Sequence, residues 1–354
     1  MTQEETNRAV SELLTMLSYK RPHGSKSERR FINRFIRPLG VKQDSFGNLY
    51  KWVGDAPILW SCHVDTVHKT AGRQELSHNE NFICLPKGST SNCLGGDCTT
   101  GVWIMINMIR AGVEGLYVFH RAEERGCLGS EHINNLRRND EDEIEGIDKI
   151  QAAIAFDRAE DYEIITHQSY GRTCSDEFAR SLALALGLEK SLSPSPHGVF
   201  TDTNEYAWWV PECTNIGVGY QHQHTSAEVQ DVEWALKLLS AAVNVDITQL
   251  EISRDPSVVE YTNYGWNSYK YGNDYNNFHR DFYDRYGTSD YTGEYYTSDE
   301  KYGGSEYLSL QELVESYPST AAQLLIDYGV NKEDFLDALV KERGYIPPGA
   351  ASRS

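Results

Sequence analysis

Five short segments carry the side chains best suited to chemistry: Cys62-His63-Val64-Asp65-Thr66, Leu94-Gly95-Gly96-Asp97-Cys98, Ala122-Glu123-Glu124-Arg125-Gly126, Ala155-Phe156-Asp157 and Gln223-His224-Thr225-Ser226-Ala227-Glu228. Each sets a His or a carboxylate just after an apolar run that reads as a buried strand or its end. Imidazole and carboxylate ligands suit zinc and its divalent neighbours. Two imidazoles and several carboxylates suffice to hold two divalent cations with a base beside them. That is the equipment of a hydrolytic metalloenzyme.

Taken singly, the segments leave their roles open. His63 and Asp65 share a face in extended chain, so Asp65 acts on the His63 ring directly, holds the chain that carries it, or belongs to a structural surface pair. Asp97 follows two glycines and precedes an apolar helix; it either bridges two ions or caps that helix. Glu123 and Glu124, side by side, are costly without a compensating cation. One can bind metal while the other serves as base, or both belong to a solvated acidic turn. Asp157 ends a buried run and reads as ligand or turn residue. His224 precedes a long helical pattern, and His222 competes for its role. Specificity lies in the conjunction of five candidates in one order, each beside a strand-like run.

The elements that must position these groups alternate. Residues 7–38 read as two amphipathic helices, with Leu13, Leu14, Met16 and Leu17 on one apolar face and Phe31, Phe35 and Ile36 on another. The Ser27-Glu28-Arg29-Arg30 run reads as a solvated helix face. Residues 41–53, with Phe46-Gly47-Asn48 at the middle, read as a hairpin. Strands are expected at 58–62, 116–120, 152–156 and 214–218, and helices at 99–111, 130–136, 175–186, 204–209 and 228–245. Such alternation predicts an α/β three-layer sandwich with a mixed, mostly parallel sheet. The candidate ligands fall at or just after the C-terminal ends of its strands, where open α/β sheets place their sites.

Composition bounds the rest. The chain has 354 residues, 33 Lys and Arg against 52 Asp and Glu, and a formal net charge of -19. That balance argues against nucleic-acid binding, which needs clustered cations. No apolar run reaches membrane-spanning length, and Met1-Thr2-Gln3-Glu4-Glu5 has no signal-peptide pattern. Seven cysteines without regular spacing do not form a secreted disulfide framework, so a cytoplasmic location is expected. The expected division is a catalytic domain over 1–252, a Tyr/Asn/Gly-rich linker or irregular segment over 253–304, and a small helical module over 305–354. In that module Ser309 and Glu312 form a capping-box pattern. Residues 305–346 are expected to dock on a second copy, on a partner protein or on the main domain.

The ordered motifs resemble those of the zinc-dependent exopeptidase superfamily with a co-catalytic dinuclear site. This is the group of peptidase T, the carboxypeptidase G relatives and the single-domain zinc aminopeptidases. Leu94-Gly95-Gly96-Asp97-Cys98-Thr99-Thr100-Gly101 resembles its Leu-Gly-Ala-Asp-Asp-x-x-Gly and departs from it at Cys98, where a second Asp is usual. Ala122-Glu123-Glu124-Arg125-Gly126 resembles its Glu-Glu-x-Gly, and His224 with Glu228 its closing His-x-x-x-Glu. The resemblance implies a phosphorylase/hydrolase-like fold and two divalent ions, zinc first, with cobalt or manganese as alternatives. It implies that Asp97 bridges both ions, that His63 and Asp157 complete one site, and that Glu124 and His224 complete the other. Glu123 would be the general base and Asp65 would orient His63.

The segment 158–223 is too short to hold an inserted lid domain beside the main fold. The resemblance therefore points to the aminopeptidase branch, acting on a peptide or small amide. An N-acyl-amino-acid amidohydrolase or carboxypeptidase is the alternative; it needs a cation for the substrate carboxylate, for which Arg158 and Arg172 are candidates. A non-catalytic scaffold that binds a partner through its C-terminal region is a third reading. Gly198-Val199-Phe200-Thr201-Asp202-Thr203-Asn204 resembles a Thr-Asp turn near such sites, and Asp202 reads as a helix cap or as a residue behind the metals.

Overall fold

The computed structural model describes residues 2–79, 81–169 and 171–258. The helical module expected over 305–354, and all but residues 253–258 of the Tyr-rich segment, lie outside the described residues.

The main sheet is built of β1 (Lys42–Gln43), β2 (Leu49–Val53), β3 (Ile58–His63), β4 (Gly115–His120), β5 (Ala152–Arg158), β6 (Glu163–Ile165), β7 (Ser193–Ser195) and β8 (Glu212–Gly217). Their order across the sheet is β7-β6-β8-β5-β3-β4-β2-β1. The central strands β8, β5, β3 and β4 run parallel. Strand β6 opposes β8, and β2 opposes both β4 and β1. The helices are α1 (Gln3–Leu17), α2 (Lys26–Phe31), α3 (Gly96–Ala111), α4 (Leu128–Arg138), α5 (Asp176–Ala185) and α6 (Val232–Ala242).

Period-two alternation decides what each face of the sheet buries. Trp60, Cys62, Tyr117, Phe119, Ile154 and Phe156 enter one core, together with side chains of α1, α2, α3, α5 and α6. Leu59, Leu116, Val118 and Ala153 enter the other, with Ile133 of α4 and Tyr206. This is the three-layer α/β sandwich that the alternation predicts. Trp60 is fully buried and stacks on Phe156 with ring centroids 5.9 Å apart. Trp60→Ala is expected to cost about 3–5 kcal/mol by the usual large-to-small cost. A lowered urea midpoint at unchanged slope would register it.

Three expectations are corrected. The 228–245 helix starts only at Val232, because Asp231 caps it by accepting from the Trp234 N–H at 2.8 Å. The residues before it, Val229–Asp231, pair instead as a strand with Phe82–Cys84. The 204–209 helix is a short 3-10 turn over Asp202–Tyr206. Ser27 and Glu28 are not a solvated face: both are buried, and only Arg29 and Arg30 of that run are exposed. Glu28 Oε1 and Oε2 accept from Arg121 Nε and Nη2 at 3.0 and 2.7 Å. The Arg121 side chain satisfies a carboxylate that sequence periodicity placed in water.

Candidate metal centre

His63 and Asp157 sit at strand ends, Glu124 and His224 in turns that follow strands, and Asp97 in the irregular first turn of α3. His63 closes β3 and is 1% exposed. Its Nδ1 lies 3.0 Å from the Asp65 carbonyl oxygen, which can only accept, so Nδ1 carries the proton and donates. Nε2 is thereby turned toward Asp97 Oδ1 at 2.9 Å and Asp157 Oδ1 at 3.2 Å. Asp65 thus fixes the ring through its main chain, while its carboxylate Oδ1, 3.9 Å from His63 Nδ1, accepts from the Glu123 N–H at 3.2 Å.

Asp97 opens α3, but its φ and ψ of -75° and 111° are not helical, so the regular helix starts beyond Cys98. Its carboxylate does not cap that helix. Oδ2 faces His224 Nε2 at 3.1 Å, and the same His224 nitrogen lies 3.2 Å from Glu124 Oε1. The second carboxylate oxygen of Asp97 therefore belongs to a second group. Asp97 thereby links His63 and Asp157 on one side to Glu124 and His224 on the other; Cys98 also lies beside His63 and Asp157, and Glu123 and Glu124 beside His63. His224, not His222, supplies the second imidazole.

Asp157 is held from behind. Asn215 of β8 accepts from its N–H and donates to its carbonyl, both at 2.9 Å, and Thr201 Oγ1 donates to its Oδ2 at 2.7 Å. Gly101 fixes the approach of α3 to this strand, since a Cβ there would lie 2.0 Å from the Phe156 carbonyl oxygen. Gly101→Ala is therefore expected to destabilise the fold by about 1–3 kcal/mol, as overpacking does, despite the better helix propensity of Ala. Thermal unfolding measures it; an unchanged midpoint would contradict this packing.

The electrostatics are those of a cation site. An imidazole lone pair facing two carboxylate oxygens near 3 Å is stable only with a positive charge between them, either a proton or a metal ion. Burial lowers the pKa of His63, but the influence of Asp157, Cys98 and Glu123 beside it outweighs that and holds the ring well above its ordinary value. Hydrogen bonds to Asp97 and Glu124 raise His224 to about 10. Burial pushes Glu123 well above the usual carboxylate range; His63 opposes this, while Asp157, Asp202 and Glu124 add to it. Glu124 Oε1 is buried and, apart from His224 Nε2 at 3.2 Å, meets no hydrogen-bond partner among the described residues. Around a tetrahedral zinc, ligand atoms sit about 3.3 Å apart, given bonds near 2.0–2.1 Å. The observed separations of 2.9, 3.2, 3.1 and 3.2 Å fit that shell, and the oxygen and imidazole donors suit it chemically.

Glu123 stands against the first group, with Oε2 3.8 Å from His63 Nε2, and its Oε1 accepts from Cys127 Sγ at 3.4 Å. Asp202 caps nothing. It is buried, accepts from Ser130 Oγ at 2.6 Å and lies 3.3 Å from His120 Nδ1, whose Nε2 meets the Tyr206 hydroxyl at 2.7 Å. Burial raises Asp202 to about 7 and lowers His120 to about 3. The candidate carboxylate-binding cations are occupied: Arg158 pairs with Glu163 at 2.7 Å and Arg172 with Asp176 at 3.0 Å.

Two residues escaped the sequence reading. Glu228, expected at a helix start, is 1% exposed and accepts from the backbone N–H groups of Leu94, Gly95, Gly96 and Asp97. Its place in the His-x-x-x-Glu motif was the available signal. Arg21 is fully buried; its Nε donates to the Val64 carbonyl at 2.8 Å and its Nη2 to Thr99 Oγ1 at 2.9 Å, tying the turns after His63 and Asp97 together. Nothing in its sequence context marks it.

No protein-family profile matches the chain, and no curated protein matches its sequence. Solved structures do match its fold. An aminopeptidase PepT from Bacillus cereus superposes with a TM-score of 0.52 at 17% identity, over 68% of this chain and 98% of that one. A tripeptidase from Staphylococcus aureus gives 0.54 at 13%, over 69% and 98%. The TET1 peptidase of Pyrococcus horikoshii, described as assembling into a tetrahedron or a large octahedral shell, gives 0.52 at 14%, over 67% and 99%. The chain has the fold of these peptidases.

Proposed function

We propose that this chain is a metal-dependent exopeptidase, an aminopeptidase, that hydrolyses peptide bonds with two divalent cations and Glu123 as general base. One observation carries the reading: the two oxygens of Asp97 face two different imidazoles, His63 at 2.9 Å and His224 at 3.1 Å, each with a further carboxylate beside it. A single bridging carboxylate between two three-donor groups is the geometry of a dinuclear centre. The fold likeness to aminopeptidases supports the same reading.

His63, Asp97 and Asp157 would hold one ion, and Asp97, Glu124 and His224 the other. Bound there, such ions acidify water and polarise a carbonyl group. The protein's own part is proton movement and orientation. Glu123 Oε2 takes the proton of the attacking water and delivers it to the departing amine. Burial, which raises the proton affinity of this carboxylate, suits it to both halves of that transfer. Asp65 holds the Glu123 main chain with its carboxylate and the His63 ring with its carbonyl, so base and ligand keep a fixed relation.

The pairing of Arg158 and Arg172 with acidic neighbours favours a substrate presenting a free amine over one presenting a carboxylate. Zinc, cobalt and manganese all suit the donors; zinc is the first choice. Metal analysis of the purified protein, with a panel of aminoacyl and N-acyl chromogenic amides, tests the proposal. Turnover of aminoacyl amides that a chelator removes and zinc restores is the expected result. Preference for N-acyl amides would make it an amidohydrolase, and bound metal without turnover of any member would leave a scaffold. We extend the reading to self-association: light scattering at a multiple of 40.1 kDa supports it, and a single-chain mass rejects it. The seven free thiols suit a reducing compartment such as the cytoplasm. Among the described residues, no helix is long and apolar enough to cross a membrane.

A further inference from the structure

We propose that Glu228 is the positioning residue of the Asp97 turn and couples the two halves of the metal centre, an inference that rests on the dinuclear reading above. Its Oε2 accepts from the N–H groups of Leu94 at 2.8 Å and Gly95 at 2.9 Å. Its Oε1 accepts from Gly96 at 2.8 Å and Asp97 at 3.2 Å. Four successive backbone donors thus converge on one anion, as they do where main chain wraps a phosphate. Gly95, at a φ of 79°, supplies the left-handed turn that aims them.

The consequence lies at Asp97. Its N–H is one of the four donors, while its carboxylate reaches the opposite way to His63 and His224. His224 lies four residues before Glu228, so this short stretch grips Asp97 at both ends, by carboxylate and by main chain. Releasing Glu228 displaces Asp97 relative to both imidazoles, and the bridge fails toward both ions together.

Each Glu228 oxygen accepts two N–H groups, which makes the isosteric Gln a sharp probe. Whichever way its amide is turned, an NH2 group faces two backbone donors and half of the clamp is lost. Glu212 is the matched comparator. It is also fully buried, and it accepts from the N–H groups of Ser175, Ser253 and Arg254 at 2.7, 2.8 and 2.8 Å. It stands at the start of β8, the end of the sheet away from the ligands.

The experiment strips the full chain of metal and titrates zinc against a chromophoric chelator, with thermal unfolding followed in parallel, for the wild type, Glu228→Gln and Glu212→Gln. Both zinc-binding steps of Glu228→Gln are expected to weaken by ~10–100-fold, the usual effect of losing a partner behind a ligand. Glu212→Gln is expected to bind zinc as the wild type does, whatever its melting temperature. Wild-type affinity in Glu228→Gln overturns the proposal, as does equal weakening in Glu212→Gln. A loss confined to one step overturns the coupling. A wild type that binds no zinc instead removes the dinuclear reading itself and this inference with it. If Glu228→Gln shows no cooperative unfolding, Glu228→Asp, charged but one methylene shorter, carries the same expectation.

Discussion

Glu123→Gln is expected to lower kcat on a susceptible aminoacyl amide by ~10²–10⁴-fold, the range for losing a positioned general base. Metal content should not change. Glu123 does not supply any of the four carboxylate oxygens that face the two imidazoles at 2.9–3.2 Å; its Oε2 stands 3.8 Å from His63 Nε2, and its other oxygen meets only a thiol among its hydrogen-bond partners. The amide keeps the shape and the Cys127 contact but cannot accept and return a proton at neutral pH. Steady-state rates paired with elemental analysis separate the outcomes. Unchanged turnover would remove Glu123 from the base role. Lost turnover with lost metal would make it a ligand.

Asp97→Ala is expected to have the other large effect, on metal stoichiometry. Its two oxygens face the two imidazoles at 2.9 and 3.1 Å; Glu124, which also stands near both, comes within hydrogen-bond distance of His224 alone. Zinc content should fall to one ion per chain or fewer, with turnover reduced at least a hundredfold in keeping with loss of metal-ion catalysis. Glu124→Ala should affect only the His224 group and leave the His63 ion bound. Elemental analysis after dialysis compares the two. Equal losses in both variants would mean that Asp97 does not bridge. The fold should survive Asp97→Ala, because the side chain faces the site and not the hydrophobic core.

Much of this arrangement was legible in the chain. The hairpin follows from its turn residues, and the parallel central strands and the helix beyond Cys98 from their apolar pattern, because those strands and that helix meet a hydrophobic core. The ligand candidates could be read because strand ends in such sheets are where sites form, and the structure brings His63, Asp97, Asp157, Glu124 and His224 together. What escaped was long-range satisfaction of buried polar groups. Glu28 looked solvated because its partner Arg121 is remote in sequence. Glu228 looked like a helix start because its four donors are more than a hundred residues away. That Asp65 meets the His63 ring through its carbonyl oxygen is likewise not written in the residue type. Local pattern records which residues are apolar and where turns fall; it holds no record of which distant group completes a buried hydrogen bond.

Arg121 stands two residues before Glu123, and it is gripped by Glu28 near the beginning of the chain. A protease nick or a late translation start that discarded the first thirty residues would leave all five metal-facing side chains in the polypeptide. The segment bearing the base would nonetheless lose one of its anchors, keeping those from Asp65 and Asn48. Grafting the five motifs onto a foreign sheet would therefore need the leading helices to travel with them.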